Sequence, residues 1–98
     1  MCKDRYAQLA RNLGLPGSDD NELVDALIAA IGQLNTKLGI ARTLKEHGVT
    51  EATFENSLDF IAEQAEKDPC TGSNPRQPTV ADLKRILTCA MYGEQVDF

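Results

Sequence analysis

Ninety-eight residues fit one small domain, which at this size buries roughly 60–65% of its unfolded surface and so holds a core with little margin. With 42% hydrophobic residues, 5% aromatic and no Trp, that core must come from Leu, Ile, Val and Ala, a set that suits packed helices better than a β-sandwich. A formal charge of −5, with no local cluster of Lys and Arg, repels phosphate backbones and anionic lipid and excludes nucleic acid as a partner.

Cys2, Cys70 and Cys89 form no CxxC pair and are odd in number. With no secretory leader they predict reduced thiols and a cytoplasmic protein. The longest apolar stretch, Leu23 to Ile31, is broken by Asp25 and too short for a bilayer, so no membrane partner is expected.

The first predicted helix carries Tyr6, Leu9, Ala10 and Leu13 at i, i+3, i+4 and i+7, one buried stripe ended by Gly14. Leu15-Pro16-Gly17 is a turn. The second opens at Asp19, with Glu22 three residues on as a capping-box variant, and acidic groups near its start suit the helix dipole. Leu23, Leu27, Ala30, Ile31, Leu34 and Leu38 mark its inner face, Val24 and Ile28 widen it, and the helix is predicted to be central. Gly32 inside it costs about 1 kcal/mol relative to Ala, or permits a close helix crossing; Gly39 ends it.

A short helix from Thr43 to His47 stops at Gly48. Thr50 caps the fourth, with Val49 and Phe54 placed as a hydrophobic staple, and Phe54, Leu58, Ile61, Ala62 and Ala65 facing inward. It ends by Asp68, because Pro69 disfavours helix in the residue before it. The fifth opens at Thr79 with Asp82 reaching back to it; Leu83, Ile86, Leu87, Ala90 and Met91 face inward and Gly93 closes it. The tail, Glu94 to Phe98, is frayed unless Val96 and Phe98 dock. No segment alternates with period two, so the predicted fold is all-α, a bundle of about five helices.

Between helices four and five, residues 68–78 contain three prolines, with Gly72 as the one permissive position. Such a loop loses little entropy on ordering and has a defined shape, either as a plain connector or as a carrier of function.

Local chemistry is sparse. The seven glycines form neither GxGxxG nor a P-loop, so no dinucleotide site is expected in this chain. A catalytic metal needs about three ligands, and the single histidine, His47, sits near a helix C-terminus where a partial positive charge is favourable. Cys70 lacks the basic partner a nucleophile requires, and Cys89 reads as a small buried hydrophobe. Glu51, Glu55, Asp59, Glu63 and Glu66 recur at three- and four-residue steps, a solvated acidic face. No catalytic, metal or cofactor-binding residue is assigned.

Larger patterns carry more. Asp68 to Arg76, read as D-x-C-T-G-x-N-P-R and followed by Pro78-Thr79 and an amphipathic helix, resembles the C-terminal domain of iron-dependent (group III) alcohol dehydrogenases. Arg5-Tyr6-Ala7 with Leu13-Gly14-Leu15, Leu38-Gly39-Ile40 with Glu46-x-Gly48-Val49, and Leu87 to Tyr92-Gly93 extend the likeness over nearly the whole chain. It is most similar to the alcohol dehydrogenase half of bifunctional aldehyde–alcohol dehydrogenases. One departure is Ala41, where relatives commonly carry Pro.

The resemblance implies a dehydroquinate synthase-like helical domain spanning residues 1–98. Its partner would be an N-terminal nucleotide-binding domain, with Fe(2+) and NAD(H) belonging to that parent enzyme. The parent would interconvert an aldehyde, with acetaldehyde the expected one, and a primary alcohol. None of the family's metal ligands maps onto this sequence, so the chain alone is expected to be inactive. It would form one wall of the catalytic cleft, with Cys70, Thr71, Gly72 and Asn74 nearest the substrate. A start at Met1 inside the parent's interior reads as an excised domain or truncated frame, and bared apolar surface makes self-association an expectation. The tail at Val96–Phe98 is a candidate for docking on a neighbouring subunit. The alternative reading is a free-standing helical interaction or oligomerisation module without catalysis.

Overall fold

The structure is a computed structural model that describes residues 2–98. It is all-helical, with no strand among the described residues: α1 (Lys3–Asn12), α2 (Asp20–Lys37), α3 (Leu44–His47), α4 (Glu51–Lys67), a 3₁₀ turn (Thr71–Ser73) and α5 (Val80–Tyr92). Among those residues no helix is long and apolar enough to cross a membrane. The chain divides into two compact units, Met1–Ile40 and Ala41–Phe98.

The starts of α2, α3, α4 and α5 are set by side chains that satisfy otherwise unpaired backbone donors, whereas α1 begins at Cys2 without such a cap. Asp19 accepts from the Glu22 N–H, Thr43 from that of Glu46, Thr50 from that of Thr53 and Thr79 from that of Asp82. At α5 the capping box is complete. At α2 it is displaced by one residue, because Glu22 reaches past Asp19 and accepts from both the N–H and the hydroxyl of Ser18, each at 2.7 Å.

In the first unit α1 and α2 pair, with Ala7, Ala10 and Leu23 buried and Leu15, Val24 and Leu27 packed against them. Two sequence expectations fail here. Tyr6, Leu9 and Leu13 are exposed; of the predicted stripe only Ala10 is buried, and Ala7 joins it in the seam. Nor is α2 central: Ile28, Ile31, Leu34 and Leu38 are all more than half exposed. At 1.5 Å per residue, the ten residues of α1 cannot cover the eighteen of α2, so only the opening turns of α2 are buried. Close approach occurs at Gly17 and not at Gly32. A Cβ on Gly17 would meet the Leu23 backbone nitrogen at 2.8 Å, whereas one on Gly32 would meet open space.

In the second unit α4 and α5 pack together and α3 packs on α5. Ala62, Cys89 and Met91 are buried, and Phe54, Leu58 and Leu87 are half-buried. The inner edge of α5 runs through Leu83, Leu87 and Met91 at four-residue steps; Ile86 and Ala90, expected inward, are exposed, as is Ile61 on α4. The Phe54 and Tyr92 rings meet edge to face with centroids 6.2 Å apart, and Val49 and Phe54 line one small apolar pocket with Leu44, consistent with the predicted staple. Gly93 ends α5 at φ +78°, and a Cβ there would also meet the Thr43 methyl at 2.9 Å.

Candidate functional site

The proline-framed segment is held by its own polar groups. Pro69 stops α4, and Asp68 Oδ1 accepts from the Cys70 N–H at 2.7 Å, which starts the 3₁₀ turn. The Thr71 hydroxyl donates to the Ala65 carbonyl at 2.6 Å and so satisfies one of the last acceptors of α4. Ser73 Oγ donates to the Cys70 carbonyl, and Gln77 Nε2 donates to the carbonyls of Gly72 and Asn74, each at 3.0 Å. Asn74 Nδ2 donates to the Arg76 carbonyl. A loop with this many internal bonds has a defined shape, as its proline content predicts. Gly72 is not its flexible point: it lies inside the 3₁₀ turn without a positive φ.

Beside this loop is a groove of about 450 Å³. Its polar edge is Cys70, Thr71, Asn74, Arg76 and Asp82; its apolar wall is Pro78, Leu83 and Ile86, closed on the far side by Val96 and Phe98. Three of the four residues expected near substrate therefore face one space, and Gly72 is not among the lining. Arg76 and Pro78 belong to the motif that drew notice to the loop, so their position was within reach of the sequence. Val96 and Phe98 lie in an aperiodic tail, where only their apolar character gave a signal.

Charge at the groove centres on Asp82. The Thr79 N–H, and after it the Thr79 hydroxyl, hold the Asp82 carboxyl below the ordinary carboxylate range against a smaller desolvation effect, and Arg76 and Arg85 add to the lowering. Asp82 is thus an anion that anchors α5, 4.0 Å from Arg76. It is not poised for proton transfer near neutrality.

The donor chemistry of this chain does not suit a catalytic metal. Among the described residues no group of three or more His, Cys, Asp or Glu side chains could hold an ion. His47 is exposed in the last turn of α3. Cys70 is exposed, Cys89 buried and Cys2 intermediate, all with free thiols. The carboxylates of α4 are all exposed, two of them spent on surface pairs: Glu51 with Lys45 at 2.9 Å and Asp59 with Lys84 at 2.8 Å.

An all-helical chain with a D-x-C-T-G-x-N-P-R loop before its last helix points to one class of protein. The chain belongs to the Fe-containing alcohol dehydrogenase family, C-terminal part, whose family model matches residues 1–91. It is 47% identical over 95 residues to an NADPH-dependent butanol dehydrogenase from Clostridium saccharobutylicum, covering 97% of this chain and 24% of that protein. It is 42% identical over 95 residues to the bifunctional aldehyde-alcohol dehydrogenase of Escherichia coli (strain K12), covering 95% of this chain and 11% of that protein. An alcohol dehydrogenase from Thermococcus barophilus is 33% identical over 91 residues, 93% of this chain and 22% of its own length. The chain thus spans a quarter or less of the relatives it matches.

Proposed function

We propose that residues 1–98 serve as the C-terminal helical domain of an iron-dependent, nicotinamide-dinucleotide-linked alcohol dehydrogenase that interconverts an aldehyde and a primary alcohol. In this reading the chain forms one wall of the catalytic cleft and is inactive alone. Membership of the family over residues 1–91 carries the proposal, together with the small share of each relative that the chain covers. In this reading iron and dinucleotide are held by an N-terminal nucleotide-binding domain. No step of the chemistry is assigned to iron through these residues, since they do not fit it.

The part left to this chain is shape. The Cys70–Asn74 loop presents a thiol on a scaffold fixed by the hydrogen bonds of the Thr71 hydroxyl and the Asn74 amide, which suits shaping a substrate pocket without making bonds. The resemblance implies NAD(H), whereas the butanol dehydrogenase is named for NADPH; the groups that choose between them fall to the nucleotide-binding partner. Two measurements test the reading together. The purified chain with Fe(2+), NADH or NADPH, and acetaldehyde or butyraldehyde should oxidise no dinucleotide beyond buffer. Grafted in place of the matching quarter of the butanol dehydrogenase, it should support aldehyde reduction. Turnover by the chain alone, or a folded, metal-loaded graft without activity, overturns the proposal.

A further inference from the structure

Residues 94–98 follow the last helix without regular structure, yet they have a fixed place. The N–H groups of Gly93 and Glu94 both donate to the Cys89 carbonyl, at 2.7 and 3.1 Å, which turns the chain back over α5. The Cys89 thiol then donates to the Gln95 carbonyl at 3.8 Å. Further along, the Arg85 guanidinium lies 3.5 Å from the centre of the Phe98 ring, and Arg76 Nη1 donates to the Phe98 main-chain oxygen at 2.8 Å. Only Phe98 of this stretch is half-buried; residues 94–97 are exposed. The segment is therefore held chiefly at Phe98, by two arginines from different elements.

We propose that residues 94–98 are a latch, closed by Arg76 and Arg85 on Phe98, which covers Cys89 and narrows the groove beside Cys70. Both effects share one cause. Val96 and Phe98 wall that groove, while Gln95 caps Cys89, which is 8% exposed. Each holding contact is of the surface class, strong enough to favour one position and weak enough to release it. Lifting the latch would widen the groove along Leu83 and Ile86 and uncover the thiol together. This inference does not depend on the dehydrogenase reading.

Cysteine alkylation of the whole chain with N-ethylmaleimide, followed site by site by mass spectrometry, tests it. Cys70, exposed, and Cys2, in the other unit, serve as internal standards. In the unsubstituted chain Cys70 should react first and Cys89 last. Phe98→Ala and Arg85→Ala should each speed Cys89 by about three- to tenfold, the range that contacts of this class convert to. Arg76→Gln should act in the same direction, and Arg85→Lys, which keeps a cation over the ring, should fall between. Cys2 should keep its rate throughout, and helix content by circular dichroism should not change. A Cys89 as reactive as Cys70 in the unsubstituted chain, no acceleration in any variant, or an equal acceleration at all three cysteines would overturn the latch.

Discussion

At Asp82 and Glu22 the direction of an acid response follows from hydrogen bonding. Backbone N–H donation lowers both pKa values, from Thr79 for Asp82 and from Ser18 for Glu22, with hydroxyl donation from the same residue second in each case. A carboxyl with a lowered folded-state pKa binds fewer protons folded than unfolded. Its contribution is whole above the ordinary values of 3.8 and 4.5 and is lost as pH falls through the lowered ones. The urea midpoint should therefore fall as pH is lowered below the ordinary carboxylate values, and Asp82→Asn should flatten that slope while lowering the midpoint at neutrality. Two glycines separate on similarly local grounds. Gly32→Ala enters open space in a helix interior and should stabilise by up to about 1 kcal/mol. Gly17→Ala puts a methyl against Leu23 and should destabilise, by about 1–3 kcal/mol if the turn has to shift. A neutral or stabilising Gly17→Ala would refute the packing at Gly17, and a destabilising Gly32→Ala would refute the open space at Gly32.

Among the elements, α5 is the one whose start carries most, since Thr79 fixes the helix, orients Asp82 and follows the proline loop directly. Thr79→Ala should cost about 1 kcal/mol in chemical denaturation, and Thr79→Ser should restore most of it. Caps of this kind were legible because they depend on three or four neighbouring residues: Asp19, Thr50 and Thr79 all cap where the sequence places them, while Thr43, read as the first residue of its helix, caps it instead. Burial was less legible because it depends on what lies opposite. Ala7 and Ala10 sit beside Tyr6 and Leu9, and only the approach of α2 decides which pair becomes the seam. The groove divides the same way. Cys70, Thr71 and Asn74 share a motif, whereas Leu83, Ile86 and Phe98 reach it through the run of α5 and the fold-back after Gly93.

For the molecule as a whole, the dominant fact is uncovered apolar surface. Ile31 and Leu34 stand exposed on α2 with Leu38 at its C-cap, and Tyr6 and Leu9 on α1 with Leu13 at its C-cap, more than scattered surface residues would explain. The chain should self-associate in gel filtration with light scattering at concentrations where a domain of this size is usually monomeric. Ile31→Glu with Leu38→Glu should reduce that association and leave helicity intact; unchanged association would place the contact elsewhere. The pairing of α1 with α2 has a further consequence, in time instead of space. Its partners lie within forty residues, so this hairpin can form as soon as it clears the ribosome, ahead of the segment from Ala41 onward. A nascent chain would then carry a finished helix pair with a bare greasy flank, the kind of surface that holding chaperones grip until synthesis is complete.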